Sequence, residues 1–196
     1  IQQADKPIVL LGVGAKSAGA EIKKFVETNQ IPFVETLPAK GTIADDHPNS
    51  LGNVGKLGTK PAYEAMKSAD LLILLGTNYP YRPYLPAKGQ AKCIQVDIKA
   101  ENLGKRYAVD TAIQGDVVKT VAAFNQQGQL RKNQSFLAAC QKNMANWNKW
   151  MADKRQLDTT PASPESMVAY IDQTAPANLI YSIDVGTSTS WSARFL

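Results

Sequence analysis

Pro7-Ile-Val-Leu-Leu-Gly-Val-Gly-Ala-Lys-Ser-Ala-Gly-Ala-Glu-Ile-Lys-Lys-Phe25 is the stretch whose reading decides the fold. The unbroken apolar run Ile8 to Leu11 fits a strand buried on both faces, as in the middle of a parallel sheet. Gly12 and Gly14 at its carboxyl end permit a tight turn and close approach of a ligand to the backbone. The segment from Ala18 to Thr28 then reads as a helix, with Ile22, Phe25 and Val26 on one face. Its amino end would direct free N–H groups and a positive dipole at an anion such as a phosphate. Ser17 stands where the dinucleotide fingerprint places its third Gly, so the match to that motif is incomplete.

Working outward, the same strand-then-turn unit recurs. Pro32 to Thr36 reads as a short strand, followed by a loop that Pro38 and Gly41 keep from being helical. Glu35 lies about 20 residues beyond the glycines, where an NAD protein carries its ribose-binding acid. Thr42 to Lys60 is polar and turn-rich, and reads as a long loop. Pro61 opens a helix reaching Ser68. Asp70 to Gly76 is the most apolar strand candidate, and Lys92 to Asp97 and Asp110 to Gly115 are two more. Asp116 is placed to cap a helix from Val117 to Asn125. Parallel sheets bind ligands outside the carboxyl ends of their strands. Here those ends carry Gly12 and Gly14, Thr36, Gly76 and Thr77, Asp97, and Gly115 with Asp116. A ligand reaching all of them would be dinucleotide-sized.

Beyond Gln126 the composition turns polar, which places a domain boundary there. Ser135 to Lys154 reads as one helix striped by Phe136, Leu137, Cys140, Met144, Trp147 and Met151. Asp158 to Pro164 reads as a linker, Pro164 to Gln173 as a helix, and Asn178 to Asp184 as a last buried strand opening a further domain. The chain starts at Ile1 without an initiator Met and stops at Leu196, so it reads as a piece of a longer protein.

A net charge of +5 over 196 residues comes from scattered lysines, without the basic block of a nucleic-acid binder. An anionic cofactor accounts for it. No apolar run approaches the roughly 18 residues of a membrane span. Cys93 and Cys140 fall in apolar segments and read as buried, inert thiols of a reducing cytoplasm. His47 is the one histidine, and with Pro48 beside it a structural role in a turn is expected. No metal-ligand spacing is present. Tyr79, Tyr81 and Tyr84 could stack on a flat ring or pack on one another. Nothing in these residues performs acid–base or nucleophilic chemistry, so the chain reads as one that binds rather than catalyses.

Together, Gly12-Val-Gly-Ala-Lys-Ser-Ala-Gly19, Thr36-Leu-Pro-Ala-Lys-Gly41, His47-Pro48 with Leu51-Gly52, Gly76-Thr-Asn-Tyr-Pro-Tyr81, Gln95-Val-Asp-Ile98, Gly115-Asp116 and Ile183-Asp-Val-Gly186 with Trp191 and Arg194 resemble the thiamine-diphosphate-dependent enzymes, and the pyruvate oxidases among them. The resemblance implies an α/β fold: a Rossmann-like parallel sheet with helices on both faces, then linker helices. It implies an FAD-binding central domain over 1–126, a linker over 127–164, and the start of a pyrophosphate-binding domain over 165–196. By similarity, FAD would lie along Gly12, Val13, Gly14, Ala15, Thr36, Val54, Gly55, Lys56, Leu57, Gly76, Thr77, Asn78, Tyr79, Pro80, Asp97, Ile98, Gly115, Asp116 and Val117. Some relatives carry Arg where Lys56 stands, and Lys keeps the charge without the bidentate fork. The implied reaction is oxidative decarboxylation of pyruvate by a cytoplasmic homo-oligomer using FAD, thiamine diphosphate and magnesium. The family's activating Glu and metal motif lie outside these residues, so no catalytic or metal-binding residue is assigned and the chain alone is expected to be inactive. Three alternatives stand beside this reading. They are a central domain from an acetolactate synthase or 2-oxoacid decarboxylase, an NAD-linked Rossmann dehydrogenase, and a non-catalytic scaffold.

Overall fold

The computed structural model describes residues 1–156, 159–176 and 178–196. Six strands form one wholly parallel sheet: β1 (Pro7–Leu11), β2 (Phe33–Glu35), β3 (Ser50–Asn53), β4 (Leu71–Leu75), β5 (Lys92–Asp97) and β6 (Thr111–Gln114). Their spatial order is β3-β2-β1-β4-β5-β6, so the order reverses between β1 and β4. All five residues of β1 and of β4 are buried, as their continuous apolar runs require. Pro7 to Leu11 pair with Leu71 to Leu75 in register.

The helices are α1 (Gly19–Asn29), α2 (Lys60–Ser68), α3 (Val117–Gln126), α4 (Ser135–Arg155), α5 (Pro164–Thr174) and α6 (Thr187–Phe195). Side chains of one strand parity, among them Val9, Leu11, Phe33, Ile73, Leu75 and Val96, pack with Ile22, Phe25 and Val26 of α1 and Val117 and Val121 of α3. The other parity, including Ile8, Leu10, Leu72 and Leu74, is equally buried on the opposite face. Helix starts follow local chemistry. Thr59 caps α2 by accepting the Ala62 N–H at 3.0 Å, and Asp116 caps α3 through the Lys119 N–H at 3.0 Å.

The chain divides into two compact units, Ile1–Asn143 and Met144–Leu196. The first takes in residues 127–143 of the region expected as linker. Arg131, 4% exposed, is the reason: its guanidinium donates to the carbonyls of Asn29, Gln30, Ala4 and Asp5 at 3.1–3.4 Å. In the second unit, Arg155 donates to the Phe195 carbonyl at 3.0 Å and pairs with Asp172 at 3.5 Å. Arg194 lies over the Trp147 ring. Asp158, the first residue of the two-proline stretch expected as a linker over 158–164, is outside the described residues.

Two sequence expectations are corrected. The loop expected over 42–60 contains β3, whose Ser50 pairs with Phe33 and Asn53 with Glu35 across a register shift. The strand expected over 178–184 is irregular backbone instead, with Ile180 91% exposed. A strand exists only through a neighbour's ladder, and no described strand pairs with this segment.

Candidate functional site

The strand order reverses between β1 and β4, and sheets of this kind bind ligands beyond the carboxyl ends at that point. The parallel ladder continues into the loops at this edge. Gly12 N–H donates to Leu75 O, Gly76 N–H to Val96 O and Thr36 N–H to Leu11 O, each at 2.9 Å. Gly115 N–H follows with Asp97 O at 3.0 Å.

The two glycine loops then pack on each other. A Cβ on Gly12 would lie 2.3 Å from Gly76 O, and one on Gly76 would lie 2.5 Å from the Gly14 carbonyl carbon. Gly14 N–H donates to Gly76 O at 3.0 Å. The close approach these glycines allow is therefore made by the protein's own backbone. The helix-start expectation also changes: a 3-10 stretch, Val13–Ala18, intervenes before α1. The Ala15 N–H is used by Gly12 O at 2.9 Å. The first residue of α1, Gly19, sits beneath the Thr42 carbonyl, 2.3 Å from where its Cβ would be.

The edge combines exposed apolar groups with buried polar ones that lack partners. Val13 is 61% exposed, Leu37 50% and Ile98 68%, all immediately beyond strand ends. Three buried side-chain oxygens meet no donor or acceptor: Glu35 Oε1, Asn78 Oδ1 and Tyr79 Oη. The Tyr79 hydroxyl faces Gly55, whose φ of 125° belongs to glycine. Burial, then the neighbouring Tyr84 and Tyr81, push the Tyr79 phenol up. Tyr79 meets Tyr81 edge-on at 5.4 Å and Tyr63 meets Tyr84 at 6.0 Å, so these rings pack on one another.

The remaining expected residues distribute around the same edge. Thr36, Val54, Thr77, Asp97 and Val117 are buried, while Lys56, Pro80 and Asp116 are exposed. Gly55, Leu57 and Gly115 are half-buried. Both Asp97 carboxylate oxygens already serve the turn after β5, accepting from Lys99 N–H at 2.9 Å and Asn102 Nδ2 at 3.1 Å. Each oxygen keeps one further lone pair. Glu35 is 1% exposed, and burial first and Asp45 second push its carboxyl up to about 7. The Ile43 and Gly41 N–H groups and Lys40 act in the opposite direction.

His47 has the structural role expected. Its Nδ1 accepts the Asn49 N–H at 3.1 Å, which leaves Nε2–H to donate to Glu27 Oε1 at 3.1 Å. Both cysteines are free and buried, with thiols pushed up to about 12 by burial. Among the described residues no group of three or more His, Cys, Asp or Glu side chains could hold a metal ion. Nor is any described helix long and apolar enough to cross a membrane.

Sequence reasoning missed one contributor to this edge, β3. β3 positions Val54, whose N–H donates to Glu35 O at 2.9 Å. A four-residue strand containing a glycine carries no period-two signal.

The profile of the family "Thiamine pyrophosphate enzyme, central domain" matches residues 1–124. The chain belongs to that family. The matched span closes within α3, after the whole sheet and every strand end described above. Among relatives, YdaP of Bacillus subtilis, named as thiamine pyrophosphate-containing, is 42% identical over 99% of the chain and 33% of its own length. Pyruvate oxidase of Lactiplantibacillus plantarum is 35% identical over 93% of the chain and 30% of its own length. Acetolactate synthase of Mycobacterium avium is 31% identical over the full chain and 33% of its own length. The chain spans about a third of the length of these relatives.

Proposed function

We propose that the chain is the FAD-binding central domain of a pyruvate oxidase. The carrying observation is the pair of buried, unpartnered oxygens, Asn78 Oδ1 and Tyr79 Oη, together with the exposed Val13 and Ile98 just beyond strand ends of the carboxyl edge. A buried polar atom without a partner costs about 1–3 kcal/mol. A ligand that carries hydroxyl and phosphate groups along its length and flat rings at its ends meets both demands. The 35% identity to a pyruvate oxidase supports flavin as that ligand.

In this reading Gly12 to Ala15, Thr36, Val54 to Leu57, Gly76 to Pro80, Asp97 with Ile98, and Gly115 to Val117 line the flavin nucleotide. Asn78 and Tyr79 bind its polar chain, Val13 and Ile98 cover its apolar parts, and Asp97 offers a remaining lone pair to a ribose hydroxyl. Lys56 neutralises a phosphate. FAD when bound supplies a two-electron acceptor, and the protein's contribution is to hold and orient it. Thiamine diphosphate, magnesium, pyruvate and the homo-oligomeric assembly belong to the full-length enzyme. The domain limits 1–126, 127–164 and 165–196 are part of the same proposal.

The 31% relative supports a second reading, an acetolactate synthase central domain. Titrating the chain with FAD, NAD and ADP while following flavin fluorescence and heat tests the binding. Saturable FAD binding with no NAD binding is expected, and NAD binding alone or none at all overturns it. Turnover of the full-length protein on pyruvate separates the two enzymes. Reduction of an electron acceptor supports the oxidase, whereas acetolactate without acceptor reduction supports the synthase.

A further inference from the structure

Gln95 stands two residues before Asp97 in β5, yet the reading above gives its side chain no task. It is 3% exposed, and its register neighbours in the sheet are Leu74 and Ala112. Stability alone would favour an apolar side chain in such a layer, because a buried amide is costly unless hydrogen-bonded. Here the amide is matched. Nε2 donates to Thr77 O at 3.1 Å and to Asn102 O at 3.1 Å, and Oε1 accepts the Gly104 N–H at 2.8 Å. Two carbonyls at one end and an N–H at the other admit only this orientation of the amide.

The three partners come from two different loops. Thr77 follows β4, and its carbonyl shares a peptide plane with the Asn78 N–H. Holding that carbonyl fixes the start of the segment where Asn78 Oδ1 and Tyr79 Oη are buried without partners. Thr77 also bears on the β1 loop, since a Cβ on Gly12 would lie 2.3 Å from Thr77 Cβ. Asn102 and Gly104 belong to the loop after β5. The Asn102 side chain returns to Asp97, donating to Oδ2 at 3.1 Å. One buried amide thus joins the loop that carries Asn78 and Tyr79 to the loop that orients the Asp97 carboxylate.

We propose that Gln95 is a positioning residue for the ligand edge. It holds the β4 and β5 loops at a fixed separation, so that Asn78 and Tyr79 on one and Asp97 on the other act on the same molecule. In the flavin reading, on which this role rests, that molecule is FAD. Gln95 acts through Thr77, Asn102 and Gly104. Without it the two loops must be ordered during binding, which opposes affinity.

Gln95→Met removes the amide while keeping its length, and amide exchange of the ligand-free 196-residue chain is the first measurement. Residues 77–79 and 98–104 should quicken together by about tenfold, while β1 and the interior of β4 keep their protection. Quickening in one loop alone, or throughout the chain, would overturn the bridge.

FAD affinity, followed by flavin fluorescence, is the second. Gln95→Met should weaken it by about tenfold. Leu74→Ala is the control, because it opens a cavity beside Gln95 in the same layer and leaves every donor and acceptor of the bridge in place. It should bind FAD within about threefold of the parent. Equal weakening in the two variants would make Gln95 a core residue like Leu74 and would overturn its positioning role. A parent chain that binds no FAD would instead overturn the flavin reading, and the exchange measurement would still decide whether Gln95 joins the two loops.

Discussion

Gly76 is the residue on which the edge turns. Its φ is 60°, and a Cβ there would meet Gly14 Cα at 2.7 Å and Ala15 N at 2.8 Å. Gly104 has a φ of 73° but nothing within 4 Å of its Cβ position. The comparison separates backbone strain from collision. Gly104→Ala should cost about 1–2 kcal/mol, the strain of a left-handed residue. Gly76→Ala adds a clash with backbone that cannot yield, so about 3–5 kcal/mol is expected. Urea unfolding of both variants with unchanged slopes checks the difference. Near-equal losses would show that the two glycine loops are not in contact. The sequence marked Gly12, Gly14 and Gly76 as special, but the partner each makes room for is a segment more than sixty residues away.

At the scale of elements, local chemistry predicts helices better than strands. Pro61 announces α2, and the structure adds its cap: the Thr59 hydroxyl accepts from Ala62 N–H at 3.0 Å and donates to Leu51 O at 2.6 Å. It ties a helix start to β3. Thr59→Ala should cost about 1–2 kcal/mol, and Thr59→Ser should restore most of that. Thermal melts of the pair check this, since a lost methyl contact alone would leave Ser as weak as Ala. Strands depend on neighbours. Ser50–Asn53 has little strand character of its own and becomes β3 because β2 offers it a ladder. The apolar segment through Ile180 and Ile183 has the composition of a strand and no described neighbour to pair with.

At the scale of the whole molecule, Arg131 ties together segments far apart in the chain. Its four carbonyl acceptors lie at the entry to β1 and at the end of α1. Leu130 N–H adds a bond to Asn29 Oδ1 at 2.7 Å. Arg131→Met keeps much of the stem's packing but takes the donor from one buried and three part-buried carbonyls, so a loss of about 2–4 kcal/mol is expected. Amide exchange should quicken at residues 4–6 and 29–31 while β4 and β5 keep their protection. Uniform quickening would point to global loosening instead. Nothing in the polar composition of Gln126 to Lys132 announced this tie, because a buried arginine is recognisable only by the carbonyls it finds.

The sequence by itself determined the parallel sheet. The runs Ile8 to Leu11 and Leu71 to Leu75 are too apolar for any face to meet water, and Gly, Asp and Thr stand at the carboxyl ends of the strands. It also determined the helix starts marked by Pro61 and Asp116, which act within the first turn. Only the tertiary structure decided the strand order, the pairing of β3, the meeting of Gly14 with Gly76, and the burial of Glu35. Periodicity and capping act within a few residues and can be read along the chain. Ladder partners, backbone contacts and the dielectric around a carboxyl arise between distant segments, and exist only once the sheet has assembled.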